Sequence, residues 1–547
     1  MKTMTAETYI ISILTSYLKE RNISNISVNI EKPKQKNFGD FSTNLALQLA
    51  SILKTNPHKI AEELKSNLKF DPKIISKIEI AGPGFINFYI SESSIYNSLF
   101  QLLKEEKKYG TSNIGKRKKT QVEFISANPT GPLTIGHGRQ AVLGDTISRL
   151  LEACGFNVTR EYYFNNAGRQ MRILGESVRL RYLELLGEKI DFPDDHYRGE
   201  YIIEIAKSIY DEFKDKYNDN QDINFFTKRA EESVFNDIKN TIKRLKFEMD
   251  VFYNENTLYD EGKIDKVLQL LRKKNLIAEK DGAVGFLSSQ LGMDQDRVMV
   301  KSTGEPTYRL PDIAYHREKI LRGFDLIVDI FGADHIATYP DVLLALKALD
   351  IDEQKIKVLI HQFVTLTENG KKIKMSTRKA NFVTLDELMD EVGEDVTRFF
   401  FLMRHMNSHL NFDLKLAKTQ SDENPVYYVQ YAHARICSII RFGEENNIIF
   451  KDDAPLQLLI KAEEIELIKH LLEFPKIIEI SATNFEPHRL VNYLIETATF
   501  FHKFYTECRV ITDDSNLTQA RLALCKATKI VLSNGCSLLG ITAPEKM

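Results

Sequence analysis

Between Gln121 and Phe164 the chain runs from an alternating extended segment, "QVEFIS", through a glycine- and proline-rich loop into the helix pattern "RQAVLGDTISRLLEACG" and out through "NVTREYYF". Strand, helix and strand within about 45 residues make a βαβ unit, which commits the chain to a parallel sheet with helices on its faces. In the helix Ala141, Val142, Leu143, Ile147, Leu150, Leu151 and Cys154 share one face, and Gly155 supplies the stop. A second unit starts at "GFDLIVDIFGADH", continues as the helix "PDVLLALKAL" and returns as the strand "KVLIHQFVTL". The stretch between them, roughly 170–300, reads as a charged helical insertion, too long for an ordinary crossover.

A chain of 547 residues exceeds what one core supports. Residues 1–112 read as a first α+β unit, with Leu45, Leu47, Leu49, Ile52 and Leu53 at helical spacing and "KIEIAGPGFINFYIS" as strands broken at Gly82-Pro83-Gly84. The parallel-sheet unit spans 113–415, and 416–547 is patterned throughout as amphipathic helices, a bundle. Apolar content is 43% and no apolar run approaches the roughly 20 residues that cross a bilayer. The N-terminus lacks the pattern of a secretory signal, so a cytoplasmic protein, working as a monomer, is expected. Cys154, Cys437, Cys508, Cys525 and Cys536 are scattered and never form CxxC, which argues against disulfides and against a zinc site. A formal charge of −2 leaves nucleic acid to local patches; Lys116-Arg117-Lys118-Lys119 is one, or a solvated linker.

Chemistry concentrates in the loop of the first unit. A helix N-terminus leaves N–H groups unpaired and carries partial positive charge, so "TIGHG" at the head of this helix suits a phosphate. Gly136 and Gly138 let a nucleotide approach the backbone, and His137 is placed to donate to a phosphoryl oxygen. For these residues alone, a tight turn with the histidine capping the helix is an equal alternative. "KMSTR" at 374–378 lies between "HQFVTLTENGKK" and the helix "LDELMDEVGEDVTRFFFLM", and by itself reads as a solvated loop. Together, in a parallel-sheet protein, the two resemble the HIGH and KMSKS signatures of class I aminoacyl-tRNA synthetases.

The likeness extends further. "EFISANPTGPLTIGHGR", "REYYFNNAGRQM", "GEPTYRLPDIAYH", "KMSTRKANFVTLDEL", "NPVYYVQYAHAR" and "RLALCKATKIVLSNGCSLLGITAPEKM" are similar to bacterial arginyl-tRNA synthetases, and "NFGDFSTNLALQLA" with "AGPGFINFYIS" resembles their N-terminal additional domain. The resemblance implies a Rossmann-type parallel-sheet catalytic domain with a helical insertion, an N-terminal α+β additional domain and a C-terminal α-helical bundle. It implies an arginine–tRNA ligase: ATP and L-arginine give arginyl-adenylate and pyrophosphate, arginine passes to the 2′-OH of the terminal adenosine of tRNA(Arg), and activation requires tRNA. In-line displacement at phosphorus asks the protein to align reactants and neutralise charge.

By the same resemblance ATP is held by Thr134, Gly136, His137, Gly138, Asp334 and, in a loop 371–381, Lys374, Met375 and Ser376; His137, Lys374 and Arg378 act in catalysis. Thr134 replaces the first signature histidine and Thr377 the second lysine, leaving Arg378 or Lys379 to meet pyrophosphate. Mg²⁺ arrives with ATP, and no protein-bound metal is expected. A planar guanidinium with five donors asks for carboxylates and few competing cations; the resemblance assigns Glu123, Tyr308 and Asp312 to it, and Ser126, Asn128 and His335 to the α-groups. Phe85 and Asn87 match positions that touch a D-loop base, where an aromatic face beside an amide suits an unstacked base; a core phenylalanine beside a turn-capping asparagine is the alternative. Tyr427, Tyr428, Gln430, Tyr431 and Arg435 are candidate anticodon contacts. Two rivals stand beside this reading. Another class I specificity, such as cysteine or glutamate, is disfavoured by the missing zinc-ligand spacing and the paired carboxylates. An RNA-binding paralogue with a decayed site, suggested by Thr134 and Thr377, is disfavoured by the retention of His137, Lys374, Glu123 and Asp312.

Overall fold

The computed structural model describes residues 5–33, 35–218, 223–333, 336–373 and 383–547. Asp334, His335, Lys374, Met375, Ser376, Arg378 and Lys379 therefore lie outside the described residues.

Strands β1 (Lys119–Glu123), β2 (Asn157–Phe164), β3 (Val251–Asn254), β4 (Leu326–Gly332) and β5 (Ile356–His361) form one parallel sheet in the order β5-β4-β1-β2-β3. Helix α1 (Ile135–Ala153) connects β1 to β2, and α2 (Gly168–Leu185), α3 (Glu200–Phe213) and α4 (Ile223–Arg244) connect β2 to β3. Helix α5 (Arg309–Leu321) leads into β4, and α6 (Tyr339–Ala348) joins β4 to β5. The chain thus builds outward from β1 to β3 and returns to the other side of β1, so the strand order reverses between β1 and β4. In open parallel sheets the crevice beyond the C-terminal strand ends at such a reversal is where ligands bind.

Helix α1 is buried along Gly138–Ser148, and a Cβ on Gly144 would stand 2.1 Å from the Phe124 ring, so the glycine is what lets α1 lie against the end of β1. Gly155 follows the C-cap Cys154 with φ +83°, the left-handed stop its position demands.

Two expectations change. The stretch 170–300 is not one helical insertion, because β3 lies within it and pairs with β2 in the main sheet. Four residues are too few to reveal an alternation, so this strand is invisible in the sequence. Likewise "KVLIHQFVTL" is two strands: β5 stops at His361, and Val364–Glu368 pairs instead with Leu410–Asp413 and Lys371–Lys372. The break is held by buried Arg139, whose Nη1 donates to the Gln362 carbonyl at 2.6 Å, and by Gln362 N donating to the Met406 carbonyl at 3.0 Å.

The N-terminal unit is a three-stranded antiparallel sheet, Phe41–Thr43, Phe85–Ile90 and Ile75–Ala81, under helices whose core runs from Ile10 to Phe88. Helix Glu92–Glu105 packs elsewhere: Ile95, Leu99 and Leu102 join the core shared by the sheet and the C-terminal bundle, and Tyr96 donates to the Leu459 carbonyl at 3.0 Å. After Leu385–Val392 (α7) and Glu394–Leu402 (α8), the bundle comprises α9 (Pro425–Glu445), α10 (Ala462–Leu471), α11 (Phe474–Thr483), α12 (His488–Glu507) and α13 (Ser515–Leu539). Helix α13 is long and apolar enough to cross a membrane by length and composition, but most of it is buried inside the bundle. All five cysteines are buried and none is in a disulfide. Residues Lys116–Lys119 form an exposed turn entering β1.

Candidate active site

The crevice between β1 and β4 is lined first by the loop that leaves β1. Ile125 and Ser126 both have positive φ, +70° and +45°, a costly conformation for a β-branched residue that turns the chain sharply off the strand. Tyr162 and Tyr201 hold the loop by donating to the Ala127 carbonyl at 2.7 Å and the Thr130 carbonyl at 2.9 Å. Thr134 is the N-cap of α1: its hydroxyl accepts from His137 N at 3.4 Å, while His137 Nδ1 accepts from Thr134 N at 3.2 Å. The histidine is therefore a reciprocal cap, and the cap dictates its tautomer. With Nδ1 an acceptor, the proton of the neutral ring sits on Nε2.

The glycines on either side of it differ. Among the described residues only Thr134 Oγ1, at 3.6 Å, faces a Cβ on Gly136, so no described side chain fills the space there. Gly138 is not open to a nucleotide: a Cβ there would stand 2.5 Å from Leu385 Cδ1, so its role is packing of α7 on α1. That packing joins the two signature segments. Leu385 N donates to the Leu133 carbonyl at 2.8 Å, Thr384 bridges Thr134, and Thr384 caps α7, so the segment after the "KMSTR" loop leaves from the head of α1.

Deeper in the crevice, Asp329, Glu123 and Glu161 stand in register across β4, β1 and β2. Helix α5 answers them with cations. Lys319, fully buried, pairs with Glu123 and with Asp329 (2.6 Å), and Arg322 makes two 2.7 Å bonds to Glu161, which also accepts from Tyr315 at 2.6 Å. His316 spans the Asp312 carbonyl (2.7 Å) and Asp329 (3.0 Å). Burial pushes the Asp329 carboxyl up, but Lys319 and His316 outweigh it and hold it below the usual carboxylate range. Glu123, which the sequence assigns to a guanidinium, is thus already matched by Lys319, and its second oxygen accepts from Ser126 Oγ at 2.9 Å.

Asp312 is different. Among the described residues nothing donates to its carboxylate, and burial, reinforced by the charges of Glu123 and Glu255 against the opposing pull of His316, raises its pKa to about 7. Glu255, just beyond β3, is a second uncompensated carboxylate. Burial raises it against the hydrogen bond from Tyr163 (2.7 Å), and Asn165 Nδ2 donates to its other oxygen at 2.8 Å. Asn128 reaches the same wall, accepting from Asn165 N at 3.1 Å. Tyr308, one turn before Asp312, is 89% exposed and does not cover the pocket.

Lys319, His316 and Glu255 are absent from the sequence reading. The i, i+4, i+7 spacing of Asp312, His316 and Lys319 places all three on one face of the helix and was the available signal. For Glu255 there was none.

Three protein-family profiles match the chain: "Arginyl tRNA synthetase N terminal domain" over 8–90, "tRNA synthetases class I (R), catalytic domain" over 98–410 and "DALR anticodon binding domain" over 429–547. The arginine–tRNA ligase of Desulfotalea psychrophila is 54% identical over 520 residues, covering 95% of this chain and 94% of its own. The chain belongs to the arginyl-tRNA synthetase family. The arginine–tRNA ligase of Chlorobium limicola is 50% identical, covering 98% of this chain and all (100%) of its own. A crystal structure described as a putative arginyl-tRNA synthetase from Campylobacter jejuni aligns with TM-score 0.78 at 31% identity over 84% of this chain and 100% of that one. Thermus thermophilus arginyl-tRNA synthetase shares the fold at TM-score 0.77 and 22% identity, over 98% of this chain and 99% of that one.

In the N-terminal and C-terminal units aromatic groups reach solvent. Phe85 begins its strand 39% exposed, so it is not a core residue; Asn87, on the same strand face, is buried at a cleft of about 400 Å³ bordered by Phe38, His58 and Lys65. On α9, Tyr427 stacks with Tyr431 (6.2 Å between centroids), Tyr428 lies 4.9 Å from the His502 ring, and the Arg435 guanidinium lies over Tyr505 at 5.2 Å. Gln430 is not available to RNA in the same way: its amide donates to Asp395 and to the Thr542 carbonyl, both at 3.0 Å, tying α9 to α8 and the C-terminal tail.

Proposed function

We propose that the chain is an arginine–tRNA ligase that condenses L-arginine with ATP to arginyl-adenylate and pyrophosphate and then charges the 2′-OH of the terminal adenosine of tRNA(Arg). The observation that carries this reading is the Asp312 carboxylate, left without a donor among the described residues and set among the carboxylates Glu123 and Glu255 at the sheet whose first crossover helix begins with a capped N-terminus suited to phosphate. A guanidinium supplies the missing donors and charge. Asp312 and Glu255 then take the guanidinium, with Glu123 and Tyr308 at its border, and Ser126, Asn128 and His335 face the α-groups. ATP lies along Thr134, Gly136 and His137 with its ribose toward Asp334, and Lys374, Met375 and Ser376 close on its phosphates. Arg378 or Lys379 stands in for the second signature lysine. Mg²⁺ comes with ATP, where it offsets phosphate charge. On this reading 1–112 binds the tRNA elbow, 113–415 performs the chemistry and 416–547 reads the anticodon with Tyr428 and Arg435. The monomeric protein works in the cytoplasm, where buried thiols remain reduced.

ATP–pyrophosphate exchange is expected with arginine, and only when tRNA is added. Exchange driven by another amino acid, or none at all with tRNA present, would overturn the assignment. At the RNA end, Phe85→Ala is expected to raise KM for tRNA on the order of tenfold, the scale of one lost base stack, and to leave KM for arginine unchanged in aminoacylation assays. An unchanged tRNA KM removes Phe85 from the RNA surface.

A further inference from the structure

The segment "FNNAGRQM" after β2 has no role in the reading above, yet it touches both walls of the pocket. Asn165 Oδ1 accepts from Ala167 N at 2.8 Å, so the amide nitrogen must point the other way, and it donates to Glu255 Oε1 at 2.8 Å. The backbone N–H of the same residue donates to Asn128 Oδ1 at 3.1 Å. Glu255 Oε2 takes the Tyr163 hydroxyl, so both its oxygens are held by neutral donors that fix direction without cancelling charge. We infer that Asn165 is the positioning residue that aims Glu255 at the guanidinium of bound arginine and ties that aim to Asn128 at the α-group end of the amino acid. The inference rests on the arginine-pocket reading. It has a built-in control next door: Asn166 donates to Glu231 at 2.7 Å and accepts from Asn256 at 2.7 Å, the same chemistry turned into the α4 side of the fold.

The titratable groups facing Glu255 are Tyr163 on β2, Tyr259 on the short helix after β3 and Asp312 on α5. Asn165→Asp adds a carboxylate against it. With both ionised the two repel; as pH falls the pair takes up one proton, and a carboxyl O–H restores the lost bond.

The test is arginine-dependent ATP–pyrophosphate exchange by the full chain with tRNA. Asn165→Ala is expected to raise KM for arginine on the order of tenfold, as for a lost hydrogen bond to a charged group, with KM for ATP within about twofold of the parent. Asn165→Asp is expected to raise it on the order of a hundredfold at pH 8 and to recover toward pH 6, while the parent weakens over the same range. Asn166→Asp should leave both KM values near the parent's. Parental arginine KM in Asn165→Ala, no recovery of Asn165→Asp at low pH, or an equal arginine defect in Asn166→Asp would overturn the inference. Glu255→Gln separates the two levels: if it raises arginine KM while Asn165→Ala does not, only the role of Asn165 falls. If Glu255→Gln leaves arginine KM unchanged, the pocket and the inference fall together.

Discussion

Replacing Asp312 with asparagine is expected to lower kcat/KM for arginine by roughly two to three decades, the effect of losing a buried charge-assisted bond. The asparagine keeps the size of the side chain but removes the charge and turns an NH₂ toward a group made only of donors. A matching signature lies in pH. The free carboxyl titrates at about 7, above its ordinary value, because burial and the neighbouring charges of Glu123 and Glu255 favour the neutral form. Bound arginine favours the ionised form, so binding releases a proton and tightens as pH rises through 7. Arginine should therefore raise Tm more at pH 8 than at pH 6 in the parent, and equally at both in Asp312→Asn. For the unliganded protein the sign is opposite. A carboxyl with a raised folded pKa binds more protons folded than unfolded, so its contribution to stability declines as pH climbs from its unfolded pKa to about 7. Wild-type kcat/KM in Asp312→Asn would place the guanidinium elsewhere and remove the physical basis for arginine.

His137→Ala is expected to lower kcat on the order of 10²-fold with a smaller change in KM for ATP, the behaviour of a donor used mainly in the transition state. The same change removes half of a capping box, because Nδ1 accepts the Thr134 N–H. Stability should fall by about 1 kcal/mol, read as a Tm shift of a few degrees. The two effects are separable. A lowered Tm with unchanged kcat would make His137 a helix cap and nothing more, the alternative that the four residues "IGHG" leave open. Loss of kcat beyond what the fraction unfolded explains would assign the Nε2 proton to the phosphates.

Much of the fold was legible because its signals are local. The apolar face of α1 and Gly155 at its end are each written within a few residues and became the elements they announce, whereas of "QVEFIS" only Gln121–Glu123 is strand, because the chain turns off it at Ile125 and Ser126. Elements without local signals were missed: "VFYN" is too short to show a period, and the break at Gln362 depends on Arg139, more than 200 residues away (|i−j| 223). The glycines teach the same lesson. Gly136 and Gly138 are equivalent in sequence, yet only the packing of Leu385 on α1 reveals that the space beside Gly138 is filled while no described side chain but Thr134 stands beside Gly136.

By itself the sequence determined the parallel sheet and the helical C-terminal bundle and pointed to the α1 head and the carboxylates as the places to look for a site, since period, stops and residue chemistry need no partner to be read. Only the tertiary structure decided which carboxylate is left for a cation. Glu123 and Asp312 are equal candidates on paper, but Lys319, 196 residues from Glu123 along the chain, is carried by α5 onto β1 and β4, where it pairs with both Glu123 and Asp329. Asp312, on the same polar face of α5 but with no donor among the described residues, is the carboxylate left for a cation, and that difference exists only once α5 lies across the sheet.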